Sequence, residues 1–250
     1  MLSLNSGSNG NCYYIGNMQD ALLVDAGISC RETERRLERV GLDIKRVRAI
    51  LITHEHGDHI KGVSVLAKKH QLPVYITPKT LAKSGLRLER VRSFSVAEPF
   101  GIGDLQVQAV RKYHDAVDPY SFTIQYGALK VGVFTDIGVL CPNVIAHFQQ
   151  CHGAILEANY DIDMLESGAY PPYLKHRIRG GRGHLSNAQA LHLFTQYRPT
   201  YMRHLILGHL SAQNNQPEIL EQLFKPYAQQ AQIEVASRHQ ESTVMEITAL

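Results

Sequence analysis

Cysteine is scarce in this chain of 250 residues: there are four, Cys12, Cys30, Cys141 and Cys151, and no two form a C-x-x-C pair. That spacing argues against a thiolate zinc site and against a disulfide framework. A strong charge of one sign is lacking too. The formal net charge of +3 neither demands nor excludes a polyanionic partner. The opening residues, MLSLNSGSNGN, have no basic segment followed by an apolar one and do not read as a signal peptide. No apolar run is long enough to span a bilayer, which points away from a membrane partner. Low-complexity tracts and Pro-, Gly- or Ser-rich linkers are missing, so residues 1–250 read as one domain. The expectation is a soluble, cytoplasmic protein with reduced thiols, of oligomeric state unknown from sequence.

Histidine is abundant. Thirteen are present, about twice typical usage, and histidine is both the commonest metal ligand and the acid/base that titrates near neutrality. Hydrophobic patterns predict strands over NCYYIG, ALLVDAG, RAILIT, PVYIT, RSFSV, LQVQAVRKYH, SFTIQY and KVGVFTD, with a hairpin turn at Gly127–Ala128. Ser29 and Glu32 form a capping-box signature for a helix ending before Gly41, and another helix is predicted through IKGVSVLAKKHQ. The second half alternates between helices (NVIAHFQQ, the stretch from Ser186, and one after Pro217) and strands (GAILEAN, HLILGHL, IEVAS and TVMEITAL). Two sheets covered by helices follow from this order. The tetrapeptide GHLS occurs at 183–186 and again at 208–211. The first copy precedes a helix and the second ends a strand, so the flanking elements do not repeat and the pair is no internal duplication.

The segment THEHGDH sets four possible ligands, His54, His56, Asp58 and His59, at the end of an apolar strand. Residues two apart in an extended segment point the same way, so His54 and His56 suit one ion. The turn through Gly57 redirects the chain, which lets Asp58 and His59 face a second. A polar loop that merely happens to be rich in histidine is the bland reading, and the density of ligands at a strand-to-helix junction argues against it.

The pattern H-x-H-x-D-H after an apolar strand resembles the metallo-β-lactamase superfamily. The resemblance covers essentially the whole chain, because later motifs match in order: a histidine at His114 in VRKYHDAVDP, an aspartate at Asp136 in GVFTDIG and a histidine at His209 in LILGHLS. It implies an α/β fold, a four-layer αββα sandwich with the metal site at one edge between the sheets. It also implies two divalent metal ions. His54, His56 and His114 would hold the first, Asp58, His59 and His209 the second, and Asp136 would bridge them. Beside His114, Asp115 and Asp118 are alternatives. Two cations brought close by a carboxylate hold a hydroxide that is nucleophilic at neutral pH. Five histidines and two aspartates fit zinc, manganese or iron.

Within the superfamily, GHLSNAQA resembles the H-S-T-x-x-x-A segment of the tRNA 3′-end-processing nucleases, which implies that His184 acts near the scissile phosphate rather than on metal. An imidazole suits protonating a leaving alkoxide. Those nucleases carry a glutamate three residues before the bridging aspartate, where this chain has Val133, so a His184–carboxylate relay needs another partner; Glu157 and Asp161 are the candidates. NSGSNGNCYYI, LEANYD, YPPYLKHRIRGGRGHLSN and LILGHLSAQNN together resemble the YycJ-type (VicX/WalJ-like) exonuclease branch. This implies a metal-dependent phosphodiesterase acting on nucleic acid, most specifically a 5′→3′ DNA exonuclease. Asp58 and His184 would be its catalytic groups, and Asn11, Asn159, Arg177, Arg179 and Arg182 its substrate contacts. The basic run Lys175–Arg182 suits a phosphate backbone. Arg87, Arg90 and Arg92 form a second cluster. Arg31, Arg35, Arg36 and Arg39 read as a solvated helix face balanced by Glu32, Glu34 and Glu38. Tyr160, Tyr170 and Tyr173 would either stack on unpaired bases or pack. The rival readings are a small-molecule metallo-hydrolase acting on a cyclic phosphodiester, thioester or lactone, and a non-enzymatic partner with a structural metal site.

Overall fold

The computed structural model describes residues 1–248, in two sheets flanked by helices. The first sheet has six strands in chain order: β1 (Leu2–Asn5), β2 (Cys12–Gly16), β3 (Ala21–Val24), β4 (Val47–Leu51), β5 (Val74–Tyr75) and β6 (Val91–Arg92). The second has seven, again in order: β7 (Phe100–Ile102), β8 (Leu105–Arg111), β9 (Tyr120–Tyr126), β10 (Leu129–Phe134), β11 (Gly153–Glu157), β12 (His204–Gly208) and β13 (Gln232–Val235). The helices are α1 (Cys30–Arg39), α2 (Gly57–Ile60), α3 (Val63–His70), α4 (Pro78–Ser84), α5 (Pro142–Phe148), α6 (Ile162–Ser167), α7 (Pro172–Arg179), α8 (Asn187–Tyr197) and α9 (Pro217–Phe224). No helix among the described residues is long and apolar enough to cross a membrane.

Three apolar clusters show the layering. One lies between the sheets and joins Tyr13, Leu22 and Val24 to Val107, Phe122 and Val133. A second joins the outer face of the first sheet to Leu37 of α1 and Leu66 of α3. A third joins the second sheet to Phe148, Leu193, Phe194 and Phe224 of α5, α8 and α9. Helix, sheet, sheet, helix is the four-layer αββα sandwich. Each sheet is antiparallel at its early strands and parallel later: β3 to β6 run parallel, as do β10 to β13. Parallel strands deliver their carboxyl ends to one edge, where ligands of such sheets gather. The β9–β10 hairpin turns at Gly127–Ala128, with Gly127 at φ +56.

Several elements depart from the sequence pattern. The helix over IKGVSVLAKKHQ is two helices, α2 and α3, parted at Gly62. Its N–H donates to Ala26 O at 2.8 Å, and a Cβ there would lie 1.9 Å from Ile28 O. The strand over RSFSV is only Val91–Arg92, because Phe94 leaves the sheet to pack against Phe100, Tyr120 and Phe122. TVMEITAL is not a strand over 243–248, and its last two residues, Ala249 and Leu250, lie outside the described residues. The segment runs beside β1, but at its start the Ser242 hydroxyl takes the Ser3 N–H at 2.9 Å in place of a ladder bond. Arg36 is buried rather than solvated: its guanidinium donates to Leu4 O, Asn5 Oδ1 and His239 O. The short elements β1, β7, α4, α6 and α7 were not predicted.

Close backbone packing fixes the histidine-bearing turn. Asn11 N–H donates to Asp58 O at 2.7 Å and Ala26 N–H to His59 O at 2.9 Å. A Cβ on Gly27 would sit 1.7 Å from Asp58 O, whereas one on Gly57 meets nothing within 4 Å. Gly27→Ala should therefore cost about 1–3 kcal/mol of overpacking. Gly57→Ala should stay within about 0.5 kcal/mol of the parent. Urea unfolding of the two variants checks the contrast.

Candidate metal centre

Strand register assembles the site. Phe134, Leu156 and Leu207 are neighbours across β10, β11 and β12, so Asp136, Glu157 and His209 emerge side by side at the carboxyl edge. Val24 pairs with Leu51, so Asp25 and Thr53–His54 emerge together from β3 and β4. Asp25, Asp136 and His209 all have positive φ (60, 55 and 57) although none is glycine. Residues in this region carry strain that persists only where the surroundings enforce it. Here each turns a side chain at a strand end into the shared space.

Seven side chains converge there. His54 Nε2 lies 3.0 Å from His56 Nδ1, which lies 3.3 Å from His114 Nε2. His59 Nε2 lies 3.4 Å and His209 Nε2 3.6 Å from Asp58 Oδ2. Asp136 stands between the two sets, with Oδ2 3.3 Å from His59 Nε2 and Oδ1 3.6 Å from His114 Nε2 and 3.4 Å from His209 Nε2. Asp136 Oδ2 and His209 Nε2 are buried without a hydrogen-bond partner. Buried polar atoms are rarely left so, and orphaned ligand atoms facing one another are what a cation would satisfy. The donor set thus fits divalent ions, with His54, His56 and His114 on one side, Asp58, His59 and His209 on the other, and Asp136 between. Of the alternatives beside His114, Asp118 turns to Tyr120 Oη at 3.2 Å. Asp115 lies at the mouth, 3.3 Å from His114 Nε2, in an ion pair with Arg177 at 2.5 Å.

The titration of the ion-free set separates the two sides. Burial pushes His54 well down, helped by the His59 charge, and holds His114 at about 4, so both offer neutral lone pairs. Burial would lower His59 as well, but Asp136, Asp25 and Asp58 outweigh it and raise it to about 10. Burial would raise the Asp136 carboxyl, yet the imidazoles around it, His209 foremost, hold it well below the usual range. On the carboxylate-rich side a proton does the work that a metal cation would take over.

A second layer of bonds aims several of these side chains. His59 Nδ1 donates to Asp25 Oδ2 at 2.7 Å, and Asp25 also accepts from Thr53 N and Oγ1. His114 Nδ1 donates to Gly183 O at 3.0 Å. These bonds fix the tautomer and leave Nε2 for metal. Glu157 Oε1 accepts from His209 Nδ1 at 2.9 Å and from His184 Nδ1 at 2.8 Å, while its Oε2 accepts from the N–H groups of Ile137 and Leu185. Burial pushes this carboxyl up, but the His184 charge and those hydrogen bonds reverse it to about 2. Of the two carboxylates named as partners of His184, the structure selects Glu157; Asp161 instead caps α6.

Residues 21–210 match the beta-lactamase superfamily domain. The chain belongs to that family. It is 35% identical over 221 residues to a Bacillus anthracis protein named exodeoxyribonuclease YycJ, covering 86% of this chain and 84% of that one. It is 34% identical over 223 residues to exodeoxyribonuclease WalJ of Streptococcus pneumoniae, covering 86% and 83%. Among solved structures, the metallo-beta-lactamase fold protein YhfI from Bacillus subtilis superposes with a TM-score of 0.75 at 18% identity over 96% of this chain and 98% of that one, a likeness of fold.

The expected substrate contacts are placed less uniformly than the ligands. Asn11 is fully buried behind the site, where its amide donates to Asp58 Oδ2 at 3.1 Å and its Oδ1 accepts from Gly7 N and Tyr13 Oη. Tyr13 Oη meets Ser6 Oγ, which accepts His209 N–H at 2.7 Å, so a polar chain links the two metal-side residues. Asn159 is likewise turned inward, donating to His209 O at 2.7 Å. Neither amide faces solvent where a strand would lie. Arg177 and Arg179 sit on α7, paired with Asp115 and Glu166, and exposed Arg182 makes no ion pair among the described residues. Tyr160 packs inside, while Tyr173 is 76% exposed on α7. Sequence reasoning missed Asp25 and Thr53. The signal for Asp25 was present, an aspartate ending the apolar strand ALLVD just as Asp136 ends VGVFTD.

Elemental analysis of variants purified without chelator tests the division of ligands from His184. His209→Ala should lose one ion per chain, whereas His184→Ala should retain both. Equal loss in the two would contradict it.

Proposed function

We propose that this chain is a dinuclear metal-dependent phosphodiesterase, most specifically a DNA exonuclease working 5′→3′. The observation that carries the reading is the shared Glu157 oxygen, which joins a metal-side histidine to a second histidine that faces the cleft. The similarity to two proteins named exodeoxyribonucleases supports the substrate class. Zinc suits the five imidazoles and manganese the carboxylates.

Bound ions would activate a water and polarise a phosphoryl oxygen. The protein's own groups do the rest. Asp58, held at Oδ2 by Asn11, has the outward exposure to orient the attacking water from its other oxygen. His184 presents Nε2 to the cleft, because Nδ1 is committed to Glu157. It delivers a proton from Nε2 to the leaving alkoxide, and anionic Glu157 stabilises the imidazolium until then. Arg182 supplies an unpaired cation beside His184, and Arg177 becomes free for phosphate if it releases Asp115. One observation favours a second reading, a small-molecule metallo-hydrolase acting on a cyclic phosphodiester, thioester or lactone. The Asp115 carboxylate at the mouth ties up Arg177 through two of its nitrogens, which takes that cation away from a polyanion.

Purified protein with manganese should degrade 5′-labelled single- or double-stranded DNA, and Asp136→Ala should not. His184→Ala should lower kcat by about 10²–10⁴-fold, the usual worth of a positioned general acid. Turnover of bis(p-nitrophenyl) phosphate with DNA left intact would move the assignment to the small-molecule reading.

A further inference from the structure

A second group of metal-type donors lies outside the edge cluster, between two helices of the outer layer. Cys30 and Glu34 are one turn apart on α1, and His70 is in the last turn of α3. Cys30 Sγ lies 3.6 Å from Glu34 Oε1, and His70 Nε2 lies 2.6 Å from the same oxygen. All three ligand atoms fall within 4.8 Å of one another. We propose that Cys30, Glu34 and His70 form a separate site for a zinc-class divalent ion that pins α1 to α3.

The geometry supports this. A tetrahedral zinc with Zn–S near 2.3 Å and Zn–N and Zn–O near 2.0 Å sets its ligands roughly 3.3–3.5 Å apart. The sulfur–oxygen spacing is already there, and His70 needs to withdraw from Glu34 by under about 1 Å. Donors come from two helices, so a bound ion closes a cross-link rather than decorating one surface. Cys30 is buried and Glu34 and His70 are partly buried, so a solvent water would supply the fourth ligand. Lys69 Nζ now holds Glu34 at 2.7 Å, but its side chain is 57% exposed and free to turn to solvent. Binding deprotonates the Cys30 thiol, and the proton goes to solvent. A thiolate in the set selects zinc, cobalt or cadmium over manganese and magnesium.

The consequence reaches the edge cluster through the backbone. α1 follows Ala26–Ser29, where Ala26 is hydrogen-bonded to His59 and Gly62 and Gly27 packs against Asp58 O, and α3 follows that same turn. Pinning the two helices braces the turn from behind.

Cobalt reads the site without interference, because the edge cluster contains no cysteine. Titrating metal-free protein with Co²⁺ should produce a thiolate-to-cobalt charge-transfer band in the near ultraviolet and a third bound ion per chain. Cys30→Ser should abolish both while binding two ions. Lys69→Ala, which removes the competing ammonium from an exposed position, should shift the band to lower cobalt concentration. No band at saturating cobalt in wild type, or an undiminished band in Cys30→Ser, would overturn the proposal, and neither result bears on nuclease activity.

Discussion

Three imidazole nitrogens, from His54, His56 and His114, meet within 3.0–3.3 Å of their neighbours, and a shared cation would let all three lone pairs point inward. The remaining architecture follows from that requirement. Asp136 sits fully buried between two groups of histidines, and a carboxylate there is tolerable only because positive charge surrounds it. Strain at Asp25, Asp136 and His209 is the local cost of aiming three strand ends at one point. Second-layer bonds from Thr53, Asp25, Gly183 and Glu157 then leave His54, His59, His114 and His209 one way to face.

Glu157 joins a histidine of the edge cluster to a histidine that faces the cleft. One oxygen accepts from both GHLS histidines, and the other accepts from two backbone N–H groups, so the carboxylate cannot rotate without breaking several bonds. The two copies of the tetrapeptide come from different local structures, a strand end and a helix entrance, yet they close on the same atom. Registry between β11 and β12 makes this possible, since Glu157 pairs with Gly208, the residue before His209.

The cluster that the structure brings together was legible because four of its members crowd one strand-to-helix junction and Asp136 and His209 follow strand ends. Periodicity located the strands before Asp136 and His209, since their last residues, Val133–Phe134 and Leu205–Leu207, are apolar and buried. The choice between His114 and its acidic neighbours was not legible, because it depends on where the loop after β8 turns; nor was Glu157 over Asp161, which lies four residues beyond the end of β11. Asn11 and Asn159 are a different case. Their place in recognisable motifs pointed to substrate, whereas both amides turn inward, Asn11 to Asp58 and Asn159 to the His209 carbonyl. The pairing of Arg177 with Asp115 spans elements far apart in sequence, and the burial of Arg36 depends on carbonyls from β1 and the region after β13, so no local pattern announced either.

If the two halves of the cluster are one catalytic unit, hydrolysis should depend on filling both. The direct measurement is DNA cleavage by metal-free protein as manganese is restored, read against ions bound per chain. The account predicts negligible activity up to one ion and a rise that levels off at two. Full activity at one ion, or in metal-free protein, would contradict it.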